Sequence, residues 1–115
     1  MFDFEKLIVY QKARSFNKDL HKSVLNNKKL DRNTHTQLDR AATSIMLNIA
    51  EGSGRFTNRD KRNFYIISRG SLLECVAVLQ KLQDLELVEK DNYDSLYKVG
   101  EEVSKMLFKM ISDLK

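Results

Sequence analysis

Residues 34–54 read THTQLDRAATSIMLNIAEGSG. Leu38, Ala41, Ala42, Ile45 and Ile49 recur at steps of three and four, which collects them on one face of an α-helix. Thr34 and Gln37 have the T-x-x-Q spacing of a capping box, so the helix is expected to start near Thr34. Gly52 and Gly54 are expected to stop it, since glycine readily takes the left-handed conformation found at many helix C-termini. Arg40, Ser44, Asn48 and Glu51 follow one another at steps of four, four and three, and form a polar stripe beside the apolar one. Two arrangements fit such a stripe. It is an exposed face, or it is buried and hydrogen-bonded inside a subunit interface. Leaving a buried polar group unpaired costs roughly 1–3 kcal/mol, so the second arrangement would fix register.

The flanking sequence repeats the same period. A first helix is expected over Phe4–Asn26, with Asp3 as N-cap, Glu5 in the first turn and a stripe of Val9, Ala13, Phe16, Leu20 and Val24. Leu30 to Asn33 then read as a loop. A third helix is expected from Thr57 or Asn58 to Leu87, with Asp60 in its first turn. Its stripe is Phe64, Ile67, Ser71, Val78, Leu82 and Leu85, widened by Ile66, Leu72 and Leu79. Gly70 inside it costs up to about 1 kcal/mol relative to alanine, which is reasonable where another helix comes close. A fourth helix is expected behind Asp91, with Leu96, Val99, Val103, Leu107, Met110 and Leu114 on one face. The chain has no proline to interrupt these helices. Short connections between long helices favour antiparallel neighbours. The expected fold is all-α, an antiparallel up-down-up-down four-helix bundle forming a single domain over residues 1–115.

With 115 residues the chain is long enough for one modest core. Its longest uncharged stretch, Ala41 to Ala50, is too short to cross a bilayer. The N-terminus carries no secretory pattern, and Cys75 is the only cysteine, so an internal disulfide is excluded and a cytoplasmic location is expected. The net charge is +4, and it is unevenly spread. Residues 1–33 carry eight basic and four acidic groups. Residues 52–70 carry five basic groups against Asp60 alone, whereas residues 71–115 are mildly acidic. A molecule polarised in this way can lay its basic side on phosphates.

The residues needed for catalysis are sparse. His21 and His35 have neither a partner histidine four positions away nor a glutamate three before, so no metal site is expected and no cofactor is implied. Cys75 lies among Leu72, Leu73, Val76 and Val78, where a buried thiol is inert. Gly52-Ser53-Gly54-Arg55 lacks the spacing of a nucleotide-binding loop and follows no strand. The strongest functional signal is basic. Arg55, Arg59, Lys61, Arg62 and Arg69 crowd the start of the third helix, the end at which the helix dipole disfavours cations. Phosphate is one partner that would use them, with Phe56, Phe64 and Tyr65 available to stack on bases. Acidic groups of the fourth helix or of a neighbouring subunit are another. Lys12, Arg14 and Lys18 of the first helix add to the basic surface.

Ser44 to Gly52, with Arg40-Ala41-Ala42 before and Gly54-Arg55 after, resembles the signature of the 23S ribosomal RNA intervening-sequence protein family. Phe4-Glu5-Lys6-Leu7, Tyr10-Gln11-Lys12-Ala13 and Arg69-Gly70-Ser71-Leu72-Leu73-Glu74 resemble that family's first and third helices. The likeness extends over nearly the whole chain, although Met46 stands where the family usually has proline. The resemblance implies a bacterial four-helix bundle. Related proteins serve as accessory proteins of diversity-generating retroelements, where they look like ring-shaped pentamers that bind nucleic acid and a reverse transcriptase. By resemblance Asn48, Glu51 and Gly52 are signature positions, read as structural.

Together these readings predict a non-catalytic homo-oligomer, a pentamer by resemblance, that binds RNA or DNA through Arg55, Arg59, Lys61, Arg62, Arg69, Lys12, Arg14 and Lys18. Arg40, Ser44, Asn48, Glu51 and Gly52 are its expected interface or structural stripe. The alternative is a scaffold that holds a protein partner and binds no nucleic acid.

Overall fold

A computed structural model describes all residues from Met1 to Lys115. The chain forms four α-helices: α1 Ile8–Leu20, α2 Arg32–Ser53, α3 Asn58–Asp84 and α4 Lys90–Asp113. Each packs on its neighbour in sequence, and α1 closes the bundle against α4. The pairing is antiparallel throughout. Gln37 meets Glu74, Ser44 meets Ser71 and Lys61 reaches back to Ser53, so α2 and α3 run in opposite directions. Asn17 with Ala42 and His21 with Asp39 set α1 against α2, while Lys12 with Glu102 sets α1 against α4. The result is an elongated four-helix bundle of 43 × 23 × 21 Å.

Twenty buried apolar residues drawn from all four helices form one core. The stripes expected of the first and second helices lie in it, and that of the fourth lies in it in part, with Val99, Met110 and Leu114 half-buried at its margin. Val9, Ala13, Phe16, Leu20 and Val24 are buried, as are Leu38, Ala41, Ala42, Ile45 and Ile49, and Leu96, Val103 and Leu107. The third stripe is shifted. Tyr65, Ser68, Leu72, Cys75, Leu79 and Leu82 face inward, while Ile66, Ile67 and Leu85 are exposed. Ser68, the one buried polar side chain, donates its hydroxyl to the Ile45 carbonyl at 2.7 Å, which removes the cost of its burial.

Several boundaries differ from the sequence reading, each for a local reason. The first helix is not continuous. A 3₁₀ turn over Asp3–Lys6 precedes α1, and the Glu5 carboxylate accepts the Phe2 N–H at 2.9 Å, so Asp3 is not its N-cap. A π-helical turn, His21–Leu25, follows α1, and this wider turn buries both Val24 and Leu25. Helix α2 starts before Thr34, because the Asp31 carboxylate caps the Thr34 N–H at 2.8 Å. Helix α3 starts at Asn58, within the expected bounds, and Thr57 caps it by accepting the Asp60 N–H at 3.1 Å. That helix stops at Asp84 rather than Leu87. Glu86 turns left-handed at φ 58°, its N–H donates to Gln83 O, and the Leu87 N–H donates to Leu82 O, both at 2.9 Å. These are the paired bonds of a Schellman stop. Helix α4 begins at Lys90, preceded by Glu89, whose side chain makes no capping bond.

Glycine acts by size here rather than by left-handed geometry, since none has positive φ. Gly54 ends α2 at φ −88°, and Gly52 lies buried within the last turn. Gly70, expected at a close crossing, has nothing near its α-carbon face; the buried glycine of the α3–α4 contact is Gly100.

Candidate nucleic-acid interface

The four-residue link between α2 and α3 is tight because Gly52 has no side chain. A Cβ there would lie 2.8 Å from the Tyr65 ring and 2.9 Å from Phe64 Cβ. The backbone is fixed on both sides of Phe56. The Arg55 N–H donates to Gly52 O at 3.2 Å, and Thr57 caps α3. The basic segment Arg55–Arg62 therefore sits on a rigid corner at one end of the bundle.

The tolerance of cations at the start of α3 has a structural cause. The antiparallel return places the negative C-terminal pole of α2 beside the positive N-terminal pole of α3. Lys61 Nζ donates to the Ser53 carbonyl at 2.9 Å, neutralising an unpaired acceptor of the last turn of α2. Arg55 lies 3.7 Å from the Glu51 carboxylate and 4.5 Å from the centre of the Phe64 ring, combining an exposed ion pair with a cation–π contact. Arg59 and Arg62 are exposed and make no ion pair. With Asn58, Asn63, Leu114 and Lys115 they line a shallow hollow of about 660 Å³. Lys115, from the far end of the sequence, is a cation that periodicity within one helix could not place there.

The eight candidate cations do not form one patch. Arg69 turns towards α4, where its Nε donates to Ser104 O at 3.4 Å and its guanidinium lies 5.4 Å from the centre of the Phe108 ring. Lys12 is bound to Glu102 at 2.6 Å, and this hydrogen bond and charge hold the Glu102 carboxyl below the usual carboxylate range. Arg14 and Lys18 are exposed on α1. The cations left without an ion pair at the corner are Arg59, Arg62 and Lys115.

The polar stripe divides along its length. Ser44 Oγ is 2.7 Å from Ser71 Oγ, and Asn48 Nδ2 donates to Ser44 O at 2.8 Å and to Ser44 Oγ at 3.0 Å. This half-buried network ties α2 to α3. Arg40 and Glu51, at the ends of the stripe, are exposed, and Gly52 is buried.

A feature absent from the sequence reading lies on the opposite flank of α3. Leu72, Leu73, Val76, Ala77 and Tyr97 form the apolar part of a groove of about 410 Å³ between α3 and α4, which Arg69, Gln80, Glu101 and Lys105 also line. Exposed Phe108 lies beyond Arg69 on the same side. Leu73 and Tyr97 fall off the expected stripes, which was the available signal.

Catalytic groups remain scattered. His21 Nε2 lies 3.1 Å from Asp39 Oδ1 on the surface. No group of three or more His, Cys, Asp and Glu side chains is gathered as metal ligands. Cys75 is fully buried, and its thiol is pushed up to about 12, first by burial and then by the Glu74 charge. No helix is long and apolar enough to cross a membrane.

Fold and surface together define an all-α bundle protein with an arginine-rich corner. The model of the 23S rRNA-intervening sequence protein family matches residues 5–109, and the chain belongs to that family. A crystal structure of a protein of unknown function from the S23 ribosomal protein family of Bacteroides thetaiotaomicron VPI-5482 superposes with a TM-score of 0.82. The two are 26% identical, and the match covers 90% of this chain and 98% of the other. No curated protein matches the chain.

Proposed function

We propose that the protein is a non-catalytic, cytoplasmic homo-oligomer that binds RNA or DNA through phosphate contacts at the α2–α3 corner. The observation that carries this reading is the pair Arg59 and Arg62, one turn apart on α3, exposed and without acidic partners, beside Lys115. Oligomerisation would multiply the chain's +4 charge and its binding sites. Contacts to phosphate carry little sequence information and release counterions, so binding is expected to be weakly sequence-specific and steeply salt-dependent.

The test is fluorescence anisotropy of a labelled structured RNA and a matched duplex DNA over a salt series. Binding with a log–log salt slope of several units supports the reading. The double substitution Arg59→Glu and Arg62→Glu should abolish binding while leaving the helical circular dichroism unchanged. Affinity that survives this change excludes the corner.

The α3–α4 groove favours a second reading, a scaffold for a protein partner. Its apolar lining and the exposed Leu73, Tyr97 and Phe108 suit a protein surface better than a phosphate backbone. Capture of one partner that persists after nuclease treatment, and is lost on Leu73→Glu, would establish it.

A further inference from the structure

Of the three aromatic side chains beside the basic corner, only one is open on both faces. Tyr65 is 4% exposed and packs beneath Gly52. Phe64 is half-buried, with the Arg55 guanidinium over its ring. Phe56 is 101% exposed. A phenyl ring held wholly in water is unfavourable by the full transfer energy of its surface, and Phe56 has no partner within the chain to offset it.

We propose that Phe56 is a stacking platform for an unpaired nucleobase, making the corner selective for single-stranded segments and loops over duplex. The inference rests on the nucleic-acid reading above and names the form of nucleic acid it takes. Three observations support it. The backbone around Phe56 is anchored by the Arg55–Gly52 bond and by the Thr57 cap, so the ring projects from a rigid link. Arg59 and Arg62, exposed and in no ion pair, lie in the first two turns of α3, so cations are available for the phosphates flanking a stacked base. The carboxylates nearby are Glu51, paired with Arg55, and Asp60, which lies exposed in the first turn of α3, so the guanidinium groups of Arg55, Arg59 and Arg62 outnumber them. An apolar ring flanked by guanidinium groups matches a nucleotide, which is apolar on its base face and anionic on its backbone. Bases inside a duplex present their faces to one another, so Phe56 has nothing to stack on there.

The experiment uses the full chain and a labelled oligouridine of about twelve nucleotides, a length on the scale of single-strand sites. An RNA duplex of the same length is measured in parallel. Phe56→Ala should weaken single-strand binding roughly ten- to a hundredfold and leave duplex binding unchanged. Phe56→Trp should keep the affinity. Because the chain has no tryptophan, that variant carries a single indole whose emission should be quenched when a base stacks on it. An exposed ring contributes nothing to the core, so circular dichroism of both variants should match the parent. Equal affinity of Phe56→Ala for single strand, or unquenched indole emission in the complex, overturns the inference. If Arg59→Glu with Arg62→Glu abolishes binding while Phe56→Ala does not, the basic corner stands and the platform alone is wrong. If neither form binds even at low salt, the underlying reading fails. Dissociation of an oligomer by Phe56→Ala, seen by sedimentation, would assign the ring to a subunit contact and overturn the proposal.

Discussion

The Tyr65 ring occupies the space that a side chain at Gly52 would need. A Cβ added to Gly52 falls 2.8 Å from Tyr65 Cε1, and the next nearest atom is Phe64 Cβ at 2.9 Å. Phe64 Cβ is bonded to the α3 backbone and cannot swing aside, so the helix itself would have to move. Gly52→Ala is therefore expected to destabilise the bundle by about 1–3 kcal/mol, despite the better helix propensity of alanine. Gly100 provides the control. Its added Cβ would meet Val76, Leu72 and Phe16 at 3.5–3.7 Å, which is ordinary contact. Gly100→Ala should gain about 0.5–1 kcal/mol. Urea unfolding of the two variants checks both signs, and equal effects would refute the packing argument.

Ser68→Ala removes the hydroxyl that binds Ile45 O across the α2–α3 contact. The expected loss is about 1 kcal/mol, the usual net value of such a bond. Ser68→Val tests the same site by volume and should cost more, because the site is fully buried. A thermal melt of each variant decides the order.

Cys75 is expected to resist thiol reagents at about pH 8 in the folded protein and to react rapidly once urea exposes it. The folded thiol keeps its proton to about 12, against an ordinary value of 9.0. Above the unfolded value the unfolded chain releases a proton that the folded one retains, so stability falls as pH rises through that window. A reactive thiol in the native state would show that the bundle opens locally at the middle of α3.

The Lys12–Glu102 pair spans α1 and α4. The Glu102 carboxyl titrates below its ordinary range, through the Lys12 hydrogen bond first and its charge second. Its contribution to stability is present above the unfolded value and is lost as pH falls through the folded one. Carbon-13 NMR titration of Glu102 should move upward in the Lys12→Met variant. An unchanged titration would mean that the pair does not persist in solution.

The helix count, the α2 face and the start of α3 were legible in the sequence, because the spacing of Leu38, Ala41, Ile45 and Ile49 and the acidic Asp60 of a first turn act within one helix. The α3 face was not. Ile66, Ile67, Leu72 and Leu73 widen its apolar surface beyond one stripe, and the inward register includes Ser68, whose burial depends on a carbonyl of another helix. The stop at Asp84 was missed because glutamate, not glycine, takes the left-handed position. At the candidate site, clustering in sequence located the arginines. It could not show that Lys61 is taken by Ser53, that Lys12 is taken by Glu102, or that Lys115 joins the corner. Those are tertiary facts.

Glu86 leaves the molecule with room to improve. A side chain with a Cβ held at φ 58° is disfavoured by about 1–2 kcal/mol relative to glycine, yet this residue is exposed and lies in the turn away from the arginine corner. Glu86→Gly or Glu86→Asn keeps every backbone bond of the turn while relieving the strain. The residue is thus a place to add heat tolerance without touching the surfaces on which function is proposed, and a ready compensator for damaging substitutions elsewhere in the bundle.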